Sequence, residues 1–241
     1  MFIPGISVHP YRADAVEELE RWAARKARVV KWLPNAMGID PSDPRCDAFY
    51  EKVRQLDLIL LAHAGREEAV DAEEDQRLGN PLILRRALDR GVKVIVAHCA
   101  GLGMGEDLDS PARAMVPNFD LFMRLMGEKK YEGLLFADIS AVTQHNRLGP
   151  ALGVLLERSD LHPRLVNGSD YPLPAINIVI RTKSLLEAGY ITQIEREQLN
   201  EIYHFNPLLF DFVLKRTIKA PGTDKRFSAS VFMANPSLGP L

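Results

Sequence analysis

The chain has 241 residues, with 30 Lys or Arg against 32 Asp or Glu, a formal net charge of −2 and an isoelectric point near 6.3. This length allows one domain with a sizeable core, and the balanced charge argues against nucleic acid or anionic lipid as a partner. No apolar run approaches the roughly 20 residues that cross a bilayer, and the first residues lack the features of a signal peptide. We therefore expect a cytoplasmic protein that acts on a small molecule, with Cys46 and Cys99 reduced.

Short apolar runs alternate with longer amphipathic stretches along the chain, which predicts βαβ units and a parallel sheet. The runs are nearly continuous in their apolarity, as expected of strands covered on both faces. The six predicted strands are Gly5–His9, Val29–Leu33, Ile59–His63, Val92–His98, Leu134–Ser140 and Leu165–Ser169. The predicted helices are Ala13–Lys26, Asp47–Leu56, Pro81–Arg90, Phe119–Lys129, Leu148–Arg158, Ile176–Ala188, Glu195–Tyr203 and Pro207–Lys215.

These units predict one domain over residues 1–220, followed by a tail over residues 221–241. The tail is rich in Pro, Gly and Ser, and we expect it to run over the surface.

Five of the six strands carry an ionisable side chain at or near their carboxyl end, where parallel α/β folds form their active sites. Four of these residues directly end a run, and they are His63, His98, Asp138 and Asp170. In an open six-stranded sheet the outer strand ends would spread over roughly 24 Å, whereas in a barrel they converge. We therefore predict an α/β fold of the TIM-type (β/α)₈ barrel class.

Two histidines and one carboxylate on converging strands form a ligand set for a divalent ion such as zinc, with water in an open position. The ion would lower the pKa of that water to about 7. Asp170 could accept the water's proton while it remains near the metal.

Several motifs in this order resemble strands four to eight of the amidohydrolase superfamily. The motifs are Val-Lys-Trp-Leu-Pro, Leu-Ala-His-Ala-Gly, Val-Ile-Val-Ala-His-Cys-Ala-Gly, Phe-Ala-Asp-Ile-Ser-Ala, Asn-Gly-Ser-Asp-Tyr-Pro and His-Phe-Asn-Pro. They are most similar to the amidohydrolase-related branch that includes aminocarboxymuconate-semialdehyde decarboxylase-like proteins. The resemblance spans nearly the whole chain.

The resemblance implies a role for each strand-end residue. His63 would be a metal ligand, Asp170 a metal ligand or general base, and His98 a ligand or a hydrogen-bonding catalytic group. Lys31 stands where some relatives carry a carboxylated lysine that bridges two metals, while many relatives bind one metal. The implied activity is metal-dependent hydrolysis of an amide, ester or lactone bond, with a related decarboxylation as the alternative.

One feature of the family is missing from the sequence. The family begins with a His-x-His pair on its first strand, and no His-x-His occurs in these 241 residues. The first histidine, His9, ends what resembles the third strand, so we expect a barrel that lacks its first two strands. The chain would then be a non-catalytic remnant or the product of a mis-assigned start. Such a barrel would expose two strand edges, and it should aggregate, bind a partner or form a homo-oligomer that covers them.

The remaining polar residues can also be interpreted as ordinary structural groups. The substrate-binding candidates are His9, Lys31, Asp138, Ser140 and Arg147. Asp138 and Ser140 could instead cap the loop that follows, His9 could be a turn residue before Pro10, and Lys31 could pair inside the barrel. Arg147 and its neighbour His145 could be solvated loop residues.

Two further segments are predicted to lie in solvent. His162, before Pro163, is expected on the surface. The acidic run from Glu67 to Asp75 is expected to form a solvated loop or lid in preference to a second metal site.

Overall fold

The structure is a computed structural model that describes residues 4–239. Backbone contacts divide the chain into two compact units. Unit 1 consists of Met1–Ala137 with Pro236–Leu241, and unit 2 consists of Asp138–Asn235. In the described residues, no helix is long and apolar enough to cross a membrane.

Unit 1 is built on a parallel sheet whose strands follow one another in chain order. The registers place Lys31 beside Leu61 and Leu61 beside Ile95. The strands are β1 (Gly5–Ile6), β2 (Val29–Trp32), β3 (Ile59–His63), β4 (Lys93–Ala97) and the start of β7 (Leu135–Asp138), which pairs with β4. Every strand predicted in this unit is present, and the bounds of β3 are those predicted.

The two faces of this sheet are covered unequally. Val30, Leu60 and Val94 on one face are fully buried, as expected where helices pack against a parallel sheet. On the other face of β2 and β3, the side chains of Lys31 and Leu61 are only half-buried. The candidate lysine therefore lies on the more open face.

The helices of unit 1 follow the predicted alternation but are shorter than predicted. Asp43 caps the 3₁₀ turn that leads into the second long helix, and Asn80 caps the turn at Pro81. The α-helices are α1 (Ala15–Ala23), α2 (Pro34–Met37), α3 (Asp47–Gln55), α4 (Arg85–Asp89) and α5 (Asn118–Met126).

Trp32 joins the sheet to these helices. Its indole Nε1 donates to the main-chain oxygen of Val8 at 2.9 Å, and its ring packs on Phe49 and Tyr50 of α3. All three rings are buried, so they belong to the core of unit 1.

A short antiparallel pair in unit 1 was not predicted. It consists of β5 (Met104–Glu106) and β6 (Met115–Pro117). The loop between them is held by Arg85 and Arg124, which bind Asp109, and Arg124 also binds Asp107. These arginines lower the pKa of Asp109 to about 2.

Unit 2 begins with the end of β7 and contains β8 and four α-helices. Thr192 and Glu195 form a capping box at the start of α8, and Asn206 accepts hydrogen bonds from the first amides of α9. The Asn-Pro motif at 206–207 is thus a helix cap. The elements are β8 (Leu165–Val166), α6 (Pro150–Glu157), α7 (Thr182–Glu187), α8 (Gln193–Phe205) and α9 (Pro207–Thr217).

One expectation in this part of the chain was wrong. His162 is buried, and its ring bonds to the main-chain oxygen of Leu155 and to the hydroxyl of Ser228, so it is a core residue. The tail is exposed over residues 221–226, and it buries Phe227 and Val231 in unit 2. Its last two residues, 240 and 241, lie outside the described residues.

Candidate active site

His63 is the last residue of β3 and is almost fully buried, with 3% of its side chain exposed. The continuous apolar run before it forms the strand, and the strand fixes its position at the carboxyl end of the sheet. Its neighbour in register is Ala97, the last residue of β4. The next residue after β4, His98, is therefore at the same end of the sheet.

His98 begins an unusual turn. His98, Cys99 and Ala100 have φ values of 57°, 51° and 50°, which lie in the left-handed region. This conformation costs an L-residue about 1–2 kcal/mol. Three such residues in succession form a strained turn that the surrounding packing must stabilise. Backbone strain of this kind clusters at functional sites.

The two histidine rings face each other. Their centroids lie 5.4 Å apart with an angle of 64° between the ring planes. Both side chains are buried, so the pair lies in a site with little solvent. The structure therefore brings together the two histidines that the sequence singles out.

Glu67 contacts His63 and was not predicted as a site residue. Its Oε2 lies 3.3 Å from Nδ1 of His63, while Oε1 accepts a hydrogen bond from the amide of Ala69 at 2.6 Å. A carboxylate at Nδ1 favours the tautomer in which Nε2 carries the lone pair that binds a metal. Glu67 is buried, in contrast to the solvated loop expected for this acidic run.

The other two candidates in unit 1 have different surroundings. Both ring nitrogens of His9 are engaged, Nε2 with the main-chain oxygen of Met37 at 3.0 Å and Nδ1 with the amide of Tyr11 at 3.3 Å. His9 therefore fixes the loop after β1, as the turn interpretation predicts. Lys31 is half-buried on the more open face of the sheet.

In unit 2, Asp138 and Ser140 form a local hydrogen-bonded turn. Asp138 Oδ1 accepts from the amide of Ser140 at 3.0 Å and from its hydroxyl. Both side chains are buried. These bonds fit the loop-capping interpretation, and they also hold the carboxylate at the end of β7 in one orientation.

Gly168 lets the segment before Asp170 approach this turn closely. A Cβ atom at Gly168 would lie 3.3 Å from Cβ of Ser140 and 3.7 Å from Cβ of Asp138. Asp170 follows two residues later, half-buried and with a left-handed φ of 55°. In unit 2, Asp138 therefore lies close to the chain segment that leads from Gly168 to Asp170.

Lys215 is the residue that the sequence interpretation missed most clearly. Its side chain is completely buried, and Nζ donates to Asp211 Oδ2 and to the main-chain oxygen of Gly168, each at 2.7 Å. Burial lowers the pKa of Lys215, while Asp211, Asp138 and Asp170 act to raise it. For the acid Asp211, burial has the opposite effect and raises the pKa. The lysine is therefore electrostatically coupled to both candidate carboxylates.

The loop after β7 carries His145 and Arg147. His145 is exposed, and its amide donates to the main-chain oxygen of Val179 at 2.9 Å. Arg147 is half-buried within the same short 3₁₀ turn. This turn lies in unit 2, together with Asp138, Ser140 and Asp170.

A family model described as Amidohydrolase matches residues 1–208, which is most of the chain. The chain belongs to the amidohydrolase family. This confirms the family resemblance of the strand-end motifs. Among curated proteins, no sequence matches this amidohydrolase chain.

Solved structures show the fold of this amidohydrolase chain. An uncharacterized TIM-barrel protein from Bordetella bronchiseptica has a TM-score of 0.51 and 16% identity, over 71% of this chain and 54% of its own. Together with the parallel strands, this likeness confirms the predicted α/β fold of the TIM-barrel class.

Two further solved structures have lower TM-scores. A candidate 2-pyrone-4,6-dicarboxylic acid hydrolase from Pseudomonas putida has 15% identity and a TM-score of 0.44, over 85% of this chain and 65% of its own. A 5-carboxyvanillate decarboxylase from Sphingomonas paucimobilis has 14% identity and a TM-score of 0.41, over 69% and 55%. The chain thus spans between half and two thirds of the length of these three proteins.

Members of the amidohydrolase family generally use a divalent metal, and the donor groups of this chain fit one in part. His63 and His98 carry imidazole groups of the kind that zinc prefers as ligands, and Glu67 orients one of them. Within residues 4–239, however, no three His, Cys, Asp or Glu side chains are gathered as a metal-holding group. The described part of the chain therefore brings together two imidazole groups and one carboxylate beside them.

Proposed function

We propose that this chain is a metal-dependent amidohydrolase that cleaves an amide, ester or lactone bond in a small molecule. The observation that carries the proposal is the buried pair of His63 and His98, at neighbouring strand ends, with Glu67 on Nδ1 of His63. A histidine that binds a metal through one ring nitrogen usually donates from the other to a carboxylate or a carbonyl oxygen. The contact between His63 and Glu67 has this arrangement.

The residues that would hold the ion are His63 and Asp170, with His98 as a third ligand or as a donor to the substrate oxygen. When bound, a divalent ion such as zinc polarises a carbonyl and makes water acidic enough to act as a nucleophile near neutral pH. Asp170 would accept the proton of that water, and Asp138 would orient a polar group of the substrate.

Metal binding by the whole purified chain tests this proposal. Zinc affinity is measured by calorimetry for the parent chain and for His63→Asn, Asp170→Asn and His145→Asn, with circular dichroism as a check of folding. We expect the first two variants to lose affinity at least tenfold, because each removes a ligand, and the exposed His145 variant to match the parent. Equal affinity in all four folded proteins would contradict the metal site.

The reaction is tested separately with the metal-loaded chain. Proton release from a panel of lactones, esters and amides reports hydrolysis, whereas release of carbon dioxide from aromatic carboxylic acids reports decarboxylation. We expect hydrolysis. Decarboxylation without hydrolysis would assign the alternative activity of the same family.

A non-catalytic remnant is the second candidate, because the described residues gather fewer than three metal-binding side chains. It predicts that the folded parent chain binds no zinc and releases neither product. The same two measurements therefore separate the two candidates.

A further inference from the structure

Unit 2 contains a concave surface that the proposed active site does not use. It lies between α7, α8 and the segment before α7, and it encloses about 580 Å³. Its walls include none of the strand-end candidates. Pockets for small ligands commonly enclose about 300–1,000 Å³, so this concavity is large enough for a small organic molecule.

The charges on its walls favour an anion. Lys183 is paired with Glu187, with 3.6 Å between Nζ and Oε1. Arg181 and Arg196 also line the pocket, and neither forms an ion pair with any other residue of the 4–239 range. These two guanidinium groups therefore bring to the pocket two positive charges that are not paired with a carboxylate of the described residues.

Arg196 is held in a way that suits a ligand contact. Its Nε is buried and has no hydrogen-bond partner among the described residues. A buried guanidinium donor without a partner is costly, and Arg196 also lines the pocket. An oxyanion that reached this guanidinium would offset the cost with a charge-assisted hydrogen bond.

Two neutral donors lie beside the arginines. The hydroxyl of Thr182 donates to Oδ1 of Asn200 at 2.9 Å, and this bond engages the amide oxygen of Asn200. The NH₂ group of Asn200 is therefore the part of this side chain that can donate to a ligand. Ser184 adds a hydroxyl to the same wall.

Two aromatic rings also line the pocket. The rings of Tyr203 and Phe210 meet edge to face, with centroids 5.2 Å apart and an angle of 86°. The hydroxyl of Tyr203 donates to the main-chain oxygen of Ala175 at 3.0 Å, which fixes this ring. An apolar group attached to the anion would pack against this rigid surface.

We propose that this pocket binds a small organic oxyanion, a carboxylate or phosphate attached to an apolar or aromatic group. Arg181 and Arg196 bind the oxyanion, Asn200 donates to it, and Tyr203 contacts the apolar part. The site is independent of the metal and of the proposed reaction.

Calorimetry with the whole chain in metal-free buffer tests this site. The probes are benzoate, inorganic phosphate and benzamide, which has the ring of benzoate without its charge. We expect saturable binding of at least one anion, weakened by added salt, and at least tenfold weaker binding of benzamide. The anion that binds more tightly identifies the oxyanion as carboxylate or phosphate.

Variants distinguish a built site from general attraction. Arg196→Gln and the more exposed Arg181→Gln should each weaken anion binding about tenfold or more, whereas Arg158→Gln should not, because Arg158 pairs with Asp160 outside the pocket. The proposal is overturned if neither anion binds at about 10 mM, a concentration that detects even weak sites. It is also overturned if the folded pocket variants match Arg158→Gln.

Discussion

The amine of Lys215 donates a 2.7 Å hydrogen bond to the main-chain oxygen of Gly168, two residues before Asp170. A second 2.7 Å bond joins it to Asp211, one helical turn away. Because the amine is completely buried, it holds the backbone that leads to a candidate ligand. Lys215 therefore positions the main chain at Gly168, close in sequence to the candidate ligand Asp170.

Lys215→Met is expected to destabilise the chain by about 3–5 kcal/mol, because it leaves the Asp211 carboxylate buried without its partner. The free energy of unfolding in urea measures this loss. The double variant Lys215→Met with Asp211→Leu should recover much of it, since no charge is then buried. A single variant as stable as the parent would contradict this account of the pair.

Glu67→Gln is expected to weaken zinc binding about 10- to 100-fold, because the amide orients and polarises the His63 ring less than the carboxylate does. Calorimetric titration measures the affinity. Glu73→Gln is the matched control, since Glu73 belongs to the same acidic run but is 81% exposed. Equal weakening in both variants would show that the effect is general electrostatics and that Glu67 has no specific role.

Ala100→Gly is expected to preserve or raise the free energy of unfolding, by up to about 1 kcal/mol, because Ala100 has a left-handed φ of 50°. The control is Ala97→Gly, at a residue with φ of −64°, which should lower it by about 1 kcal/mol. Chemical denaturation measures both. If Ala100→Gly were the more destabilising of the two, strain in this turn would not be the dominant effect.

The thiol of Cys46 should make stability depend on alkaline pH. Burial raises its pKa from the ordinary 9.0 to about 11, and its Sγ donates to the main-chain oxygen of Asp40. The folded chain therefore holds this proton more tightly than the unfolded chain does. Its contribution is complete below the unfolded pKa and is lost as the pH rises toward the folded value.

Urea unfolding of the parent chain and of Cys46→Ala across this pH range measures that contribution. The parent's advantage over the variant should shrink from the unfolded pKa upward, and a constant difference would be the contrary result. The native thiol should also react slowly with disulfide reagents below pH 9, because little thiolate is present.

The strands were predictable because each apolar run has a clear boundary. The run of β3 ends at His63, and both bounds of Ile59–His63 are observed as predicted. The pair of β5 and β6 was not predictable, since each strand has three residues and the pairing depends on contacts of the loop between them. α7 begins at Thr182, six residues later than predicted, because turns occupy the segment before it.

The candidate site was predictable only where a residue ends a strand. His63 and His98 follow continuous apolar runs, so their positions could be inferred. Glu67 and Lys215 are charged residues in segments that resemble solvent-facing loops and helices. Their burial depends on tertiary contacts, such as that between Lys215 and Gly168, 47 residues apart in sequence.

The unequal cover of the sheet in unit 1 affects how the stability of this protein should be understood. Lys31 and Leu61 are half-buried on a face whose opposite side is sealed by helices. Any molecule that lies on this face and binds only the folded chain adds stability by mass action, about 2.7 kcal/mol at a hundred times its dissociation constant. The melting temperature would then depend on the solution as well as on the chain, and it would rise with the concentration of any molecule that binds this face of the folded chain.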